Sequence, residues 1–349
     1  MSQYLKQWRL SILAALIGLA TATPSQSFAQ GQPGESSSYA NEKVSQAGDL
    51  RSNGTLAEAR NGGNQLDVWK SNTKTTDSTG QIWMSSNHGV PFQVGNTQTQ
   101  ASPAAAPFGD NGFFVVHTGI DGRIYWTVVA GNGQNTGQWF AIPNQTTPST
   151  MSVSVANLGE GSPDEFVVFR GSGNDTAVYS TWLNDAGNWS NGVRIPNAFS
   201  TTGPAVCLNN TAKSLWVAFI GTDNQINTLS QQVGAHSWSG PTPRGVSTNS
   251  DLNFNVAPSC AATANGNVVV SYVDEGNGNP HNPHYAVFNN GGGLVTEWTK
   301  DITNWQTEDS VRLTSSGNTV WSLFTGLGDN SGDHDNMNDT YWKTVYVVH

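Results

Sequence analysis

The chain has 349 residues, of which 11% are charged, and its formal net charge is −10 at pH 7. Proteins that bind nucleic acids or anionic lipid surfaces present basic residues, so this charge disfavours both classes. With 38 glycines and 13 tryptophans, the composition is typical of short strands joined by tight turns, because strands favour aromatic residues and turns need glycine.

The N-terminal residues 1–29 have the pattern of a secretory signal peptide. Lys6 and Arg9 form a positive region, Leu10–Leu19 is an apolar core, and small residues lead to a cleavage site after Ala29. The apolar run is too short to span a bilayer, and no later segment is apolar enough. The sequence therefore predicts a secreted protein, periplasmic or extracellular, with no membrane span.

Residues 30–52 form a polar segment without clear periodicity. Such a segment suits a flexible linker, and it is also long enough to hold one strand. Both interpretations stay open at this point. The remaining residues, 53–349, are organised differently, because a unit of about fifty residues recurs in them.

The repeat is marked by an apolar run that occurs six times. The runs end 47, 53, 50, 53 and 52 residues apart, at Trp69, Val116, Phe169, Phe219, Tyr272 and Phe324. A strand of small residues precedes the run in most repeats. A polar turn, another short strand, a glycine-rich turn and a tryptophan-containing strand follow it in most repeats. The unit is therefore predicted to have four short strands.

Four-stranded antiparallel units that repeat are typical of propeller blades. The small first strand suits the crowded position near the axis, and the apolar second strand suits burial between blades. A linear β-solenoid is the competing architecture, but its repeats are usually shorter and its strands more uniform. We expect an all-β fold, a six-bladed β-propeller of four-stranded antiparallel blades.

The last repeat reaches His349 inside its third strand. A propeller ring closes without leaving a raw sheet edge, so the fourth strand of this blade must come from elsewhere. The polar N-terminal segment is the candidate. We expect a strand within Ser36–Gly48 to close the ring.

Two cysteines, Cys207 and Cys260, lie at matching positions in adjacent repeats, both in predicted inner strands. An exported protein can hold a disulfide, and a disulfide needs Cα atoms within about 7 Å. Neighbouring inner strands only just approach that closely. A disulfide and a pair of buried free thiols therefore both remain open.

The sequence carries no G-x-S-x-G, H-E-x-x-H or phosphate-binding loop motif, so catalysis is not predicted. Asp121, Asp175 and Asp223 occupy turns, where aspartate is a common turn former. His281 and His284 are close enough to share a metal, but no third ligand lies nearby, and they are interpreted as loop residues.

The densest acidic loop contains Asp333, Asp335 and Asp339. Their carboxylates are hard oxygen ligands that suit calcium, although the spacing is not that of an EF-hand. The alternative is a solvated loop whose Asn and Asp residues form turns. Calcium is the one cofactor that the sequence suggests, and no other is expected.

The tryptophans Trp139, Trp189, Trp238 and Trp298 recur once per repeat. Aromatic rings stack on the apolar faces of sugars, so these residues are candidates for a repeated ligand site. The alternative is that they pack between blades. The residues that follow the apolar runs differ between repeats, so sites lined by them would not be equivalent: Lys70, His117, Arg170, Ile220, Val273 and Thr325.

The third and fourth repeats resemble blades of the PLL-like β-propeller lectins. The stretches are Glu165–Pro196 and Phe219–Pro241, in which an apolar strand, a turn such as "GTDN", a strand and a "WSG"-like sequence follow one another. Six-bladed fucose-binding fungal lectins share this general plan. The resemblance implies sugar sites between adjacent blades. By position it implies the ligand-binding residues Arg170, Trp182, Trp189 and Trp238.

The sequence favours a secreted, lectin-like carbohydrate-binding propeller without catalysis, whose partners are glycans or glycoconjugates. Two alternatives remain: an adhesive propeller that contacts other proteins, and a secreted carbohydrate-active hydrolase or lyase. The hydrolase requires carboxylates that converge on one cavity. The sugar, the number of binding repeats and the oligomeric state are not predicted.

Overall fold

The computed structural model describes the chain in ten segments. These are residues 57–71, 79–87, 89–159, 164–184, 186–235, 237–243, 256–273, 283–299, 310–325 and 340–347. The predicted signal peptide, the polar segment 30–52 and the acidic loop with Asp333, Asp335 and Asp339 all lie outside them. None of the described residues forms a helix of the length and hydropathy needed to cross a membrane.

The described residues form 23 strands in six antiparallel sheets. The first two sheets contain β1 (Ala57–Asn61), β2 (Asn64–Lys70), β3 (Gly80–Ser86), β4 (Phe92–Thr99), β5 (Ala104–Phe108), β6 (Gly112–Thr118), β7 (Arg123–Ala130) and β8 (Phe140–Thr146). The next two contain β9 (Ser154–Asn157), β10 (Glu165–Arg170), β11 (Ala177–Leu183), β12 (Val193–Phe199), β13 (Ala205–Asn209), β14 (Ser214–Ile220), β15 (Ile226–Gln232) and β16 (Ser239–Pro243). The last two contain β17 (Ser259–Ala262), β18 (Val268–Val273), β19 (Pro283–Phe288), β20 (Leu294–Thr299), β21 (Arg312–Ser316), β22 (Thr319–Thr325) and β23 (Thr340–Val347).

Each sheet is one blade of a six-bladed β-propeller. Within a blade the strands pair in chain order, so that the first strand is innermost and the last lies at the rim. The innermost strands contact one another in a closed cycle: β1 with β5, β5 with β9, β9 with β13, β13 with β17, β17 with β21, and β21 with β1. The predicted fold class is confirmed.

The sequence repeat coincides with the blades. The six apolar runs are the second strands β2, β6, β10, β14, β18 and β22. The strands of small residues are innermost, and close approach explains their composition. The close approach extends to the connections that lead into these strands: a side chain at Gly203, just before β13, would collide with the carbonyl oxygen of Ser152, just before β9.

The hydrophobic core is divided into layers between the blades. Apolar clusters lie at each of the six interfaces, because both faces of every second strand are buried. In β6, for example, Phe113 and Val115 pack toward the first blade, while Phe114 and Val116 pack toward the third. This two-sided burial is why the second strands appear in the sequence as continuous apolar runs.

A disulfide joins Cys207 in β13 to Cys260 in β17. The two Cα atoms are 5.7 Å apart, within the usual range for a disulfide. Of the two open interpretations of these cysteines, the structure shows the bonded one. The bond staples the innermost strands of the fourth and fifth blades.

The ring closes where the sixth blade meets the first. The guanidinium of Arg60 lies 4.1 Å from the ring centroid of Trp321 in β22, a cation–π contact across this boundary. Trp69 and Leu323 pack together nearby. Three strands of the sixth blade lie among the described residues. The predicted closing strand within Ser36–Gly48 lies outside the described residues and stays a prediction.

Candidate functional site

One end of the ring carries the turns between the second and third strands and the connections from blade to blade; we refer to it as the turn face. In the second blade, Asp121 lies in this turn. Its carboxylate accepts a hydrogen bond from the backbone N–H of Arg123 at 3.1 Å and another from the hydroxyl of Tyr125 at 2.8 Å. The aspartate therefore shapes the turn and holds a side chain of the third strand.

The third blade repeats this arrangement. The carboxylate of Asp175 accepts hydrogen bonds from the backbone N–H of Ala177 at 2.9 Å and from the hydroxyl of Tyr179 at 2.8 Å. In the fourth blade, Asp223 accepts a hydrogen bond from the side-chain amide of Asn227 at 3.0 Å. The same local geometry thus presents an exposed carboxylate on three successive blades.

In the third blade an arginine lies beside the hydrogen-bonded pair of Asp175 and Tyr179. Arg194 in β12 lies directly opposite Tyr179 in β11, so their side chains share one face of the sheet. A register shift between Ala177 and Tyr179 sets this pairing. At the equivalent position the second blade has Ala141, opposite Tyr125. We name Asp175, Tyr179 and Arg194 the Asp175 cluster.

The pKa values in the cluster reflect these contacts. The pKa of Asp175 is lowered, first by the N–H of Ala177 and next by the hydroxyl of Tyr179, with further contributions from Arg194 and Arg170. The pKa of Tyr179 is raised, chiefly by its hydrogen bond to Asp175. At neutral pH the cluster therefore presents a carboxylate, a neutral phenol and a guanidinium, which together can accept and donate hydrogen bonds to hydroxyl groups.

An aromatic surface adjoins the cluster. The ring of Tyr179 stacks on Phe169 at 5.8 Å, and the guanidinium of Arg194 lies 4.9 Å from the ring centroid of Phe199. Phe199 and Val193 are exposed. Polar groups thus lie beside apolar faces, a combination that suits a ligand with both hydroxyl and C–H surfaces.

The stacked pair beneath the turn recurs with different residues. His117 stacks on Tyr125 at 5.5 Å in the second blade, and Tyr272 stacks on His284 at 5.0 Å in the fifth. His284 is therefore a buried packing residue on β19, while His281 lies outside the described residues.

His117 is fully buried at the boundary with the first blade. Its ring contacts Trp139 edge-on at 4.5 Å, and its Nε2 is 3.3 Å from the hydroxyl of Thr97 in β4. Burial lowers the pKa of His117 to about 4, so the imidazole is neutral at physiological pH. His117 is thus a packing residue of the interface between the first and second blades and is not exposed on the turn face.

The strand pairing changes which residues after the apolar runs are equivalent, because the sequence repeat had matched His117 with Arg170. His117 pairs with Tyr125 as Phe169 pairs with Tyr179, so Thr118 is the second blade's counterpart of Arg170. These residues hold the connections to the next blade. Lys70 Nζ donates to the carbonyl of Gln100 at 3.0 Å, Thr118 Oγ1 to that of Met151 at 2.7 Å, and Arg170 Nε to that of Ser200 at 3.0 Å.

The four recurring tryptophans occupy three different positions. Trp189 and Trp238 are equivalent: each precedes its outer strand and packs on a phenylalanine of the preceding blade. Trp139 comes directly before β8, and its indole N–H donates to the carbonyl of Val94 in the first blade at 2.6 Å. Trp298 lies within β20, opposite Tyr285. Of the four, Trp189 and Trp238 share one position, and whether any of them binds a ligand stays a prediction.

The four residues implied by the family resemblance do not lie together in the structure either. Trp182 and Trp238 pack in the interface between the third and fourth blades, and Trp189 packs in the interface between the second and third. Arg170 lies at the turn-face end of β10, whereas Trp182 lies opposite Phe166 near its other end. Only Arg170 is near the Asp175 cluster.

Sequence reasoning missed the Asp175 cluster because it treated the three turn aspartates as turn formers alone. The signal was the spacing: a tyrosine or asparagine follows each aspartate by four residues, at Tyr125, Tyr179 and Asn227. Among the residues that the structure describes, no group of three or more His, Cys, Asp or Glu side chains is arranged to hold a metal. The calcium prediction concerns residues outside that part.

Comparison with known proteins identifies the fold. No protein-family model matches the chain, and no curated protein matches it. Solved structures do match. The lectin of Aleuria aurantia, in complex with Fucα1-6GlcNAc, has a TM-score of 0.57 at 15% identity, covering 84% of this chain and 95% of its own.

Two further lectins match over similar lengths. BP39L from Burkholderia pseudomallei has a TM-score of 0.52 at 14% identity, covering 86% of this chain and 100% of its own. SapL1, in complex with α-methyl fucoside, has a TM-score of 0.57 at 13% identity, covering 88% of this chain and 99% of its own. At these identities the likeness shows a shared fold.

Proposed function

We propose that this chain is a secreted carbohydrate-binding β-propeller without catalytic activity, and that the Asp175 cluster is a sugar site. The observation that carries the proposal is the exposed Asp175–Tyr179 pair, aligned with Arg194 at the boundary between the second and third blades. A carboxylate and a guanidinium form charge-assisted hydrogen bonds with sugar hydroxyls, and the neighbouring rings offer apolar contact.

The similar structures support the choice of ligand. Two of the matching lectins are in complex with fucose-containing ligands, namely Fucα1-6GlcNAc and α-methyl fucoside. A fucoside has hydroxyl groups for Asp175 and Arg194 and an apolar face for an aromatic ring. We therefore infer a glycan ligand and select a fucoside as the first probe.

The axial cavity argues for binding over hydrolysis. A glycosidase of the ordinary kind needs two carboxyl groups that face each other across the substrate. The residues that line the described axial cavity include neither Asp nor Glu. In the Asp175 cluster, Asp175 is the only carboxylate. The predicted signal peptide supports secretion.

The test is calorimetric titration of the mature chain, residues 30–349, with methyl α-L-fucoside and then with a panel of other monosaccharides. We expect saturable binding that falls at least tenfold in the Asp175→Asn and Arg194→Gln variants, since a hydrogen bond to a charged group contributes about 1.5–3 kcal/mol. The ligand should be recovered chemically unchanged.

The matched control is Asp223→Asn. This turn has the same hydrogen-bonded geometry, but Asn227 replaces the tyrosine. The control should bind as the parent does. If folded protein binds no sugar of the panel, or if all three variants lose binding equally, the Asp175 cluster is not a sugar site.

A further inference from the structure

A polar cavity of about 110 Å³ lies on the propeller axis at the turn face. All six blades or their connections contribute to its lining: Lys70, Gln100, Ala101, Ser102, Thr150, Met151, Ser152, Gly203, Val256, Ala257 and Ser310. It is separate from the Asp175 cluster, which lies on the outer half of the third blade. Its chemistry can therefore be considered independently of the proposed sugar site.

Lys70 is the one charged residue among those lining residues. Only 6% of its surface is exposed, and its ammonium donates to the carbonyl oxygen of Gln100 at 3.0 Å. Gly80 makes room for this side chain, since a Cβ at that position would lie 2.6 Å from Lys70 Cγ. The local packing therefore fixes a cation at the cavity.

The other polar groups of the lining are hydrogen-bond donors, as an anionic ligand beside Lys70 would need. Ser102, Thr150, Ser152 and Ser310 bring hydroxyls, and Gln100 brings an amide. These hydroxyl and amide groups can donate hydrogen bonds, and the described lining residues include neither Asp nor Glu. The volume exceeds what one water needs and is small for an oligosaccharide.

We propose that the axial cavity binds a small oxyanion, a carboxylate, sulfate or phosphate group, through Lys70 and the surrounding hydroxyls. A charge-assisted hydrogen bond from a buried ammonium to an oxyanion is stronger than one between neutral groups. The net charge of −10 repels anions from the protein surface in general. Saturable anion binding would thus report a local site.

The test is a thermal-unfolding titration with sodium sulfate and sodium phosphate against sodium chloride at constant ionic strength, followed by calorimetry. We expect a saturable rise in Tm with the oxyanions. In Lys70→Met the oxyanion affinity should fall at least tenfold. Lys213→Met, which removes a lysine charge from a different turn, should bind as the parent does.

Lys70→Met loses a packed side chain, so its fold is checked by circular dichroism. If it does not fold, Ser310→Ala serves instead; it keeps the ammonium, and its oxyanion affinity should fall several-fold. Sodium acetate and D-glucuronate distinguish the source of the oxyanion: stronger binding of glucuronate identifies an acidic sugar, and stronger binding of sulfate or phosphate identifies a free ion. The proposal is overturned if none of these anions gives saturable binding, or if a folded Lys70→Met protein binds them like the parent.

Discussion

The indole ring of Trp189 lies 6.1 Å from the ring of Phe114, across the boundary between the second and third blades. One blade further along, Trp238 lies at the same distance, 6.1 Å, from Phe166. A tryptophan at this position therefore joins its blade to the preceding one, and its first role is packing.

Replacement of Trp189 by alanine should accordingly destabilise the fold. We expect Trp189→Ala to lower the free energy of unfolding by about 3 kcal/mol, because it removes an aromatic side chain from a packed interface. Urea unfolding followed by circular dichroism measures this. Trp189→Phe should lose clearly less, and folded Trp189→Ala protein should keep its affinity for any sugar bound at the Asp175 cluster. A stable variant with lost sugar binding would contradict this assignment.

The tryptophans also show why the sequence located the blades but did not show which tryptophans occupy equivalent positions. Spacing of about fifty residues identified the second strands, whose continuous burial leaves a strong apolar signal. Trp139 lies directly before β8, Trp189 lies four residues before β12 and Trp298 lies within β20, although each recurs once per repeat. Recurrence alone does not determine strand register.

The disulfide should contribute substantially to stability. The loop that Cys207 and Cys260 close has a sequence separation of 53, for which loop-closure entropy corresponds to about 4 kcal/mol. We expect a reductant to lower the urea midpoint of the parent protein. The Cys207→Ala/Cys260→Ala double variant should unfold at that lower midpoint and show no response to the reductant. Equal midpoints with and without reductant would mean that the bond adds nothing.

His117 should make the stability depend on pH. Its folded pKa of about 4 lies below the ordinary value of 6.5, so the unfolded chain binds the proton more readily. The contribution of neutral His117 is thus complete above pH 6.5 and is lost as the pH falls toward 4, by about 3 kcal/mol in total. Urea unfolding at a series of pH values between these limits measures the loss.

His117→Phe is the matched variant, because Phe169 occupies the equivalent position in the third blade. It should remove this part of the pH dependence. If parent and variant lose stability in parallel between pH 6.5 and 4, His117 is not the group responsible.

The pKa of Asp175 offers a test of the cluster's geometry without a ligand. Tyr179→Phe removes the second-largest cause of the lowered pKa and keeps the ring, whereas Arg194→Gln removes a smaller cause. We therefore expect the pKa of Asp175 to rise in both variants and to rise more in Tyr179→Phe. NMR titration of the side-chain carboxyl carbon measures both; the reverse order would contradict the hydrogen bond from Tyr179.

The sequence predicted the turn at Asp175, but it did not predict that Tyr179 and Arg194 lie beside this residue. The turn is local, since the carboxylate caps an N–H two residues away. The position of Arg194 is not local, because a register shift in the pairing of β11 with β12 brings it opposite Tyr179. The disulfide was left open for a related reason: the distance between neighbouring inner strands follows from the blade number and packing of the whole ring.

The staple between Cys207 and Cys260 also bears on how the ring comes apart. A closed ring opens first by separating one pair of neighbouring blades. Each pair of consecutive blades is joined by the chain that runs from one to the next. The fourth and fifth blades are joined by the disulfide as well. The sixth and first blades are not consecutive in the chain, and Arg60, Trp321 and the nearby apolar contacts hold them side by side. Among the described residues, no covalent link joins these two blades. If the predicted strand within Ser36–Gly48 completes the sixth blade, the chain that runs on from it into β1 would tie the sixth blade to the first, and deleting it should make this boundary the first to open.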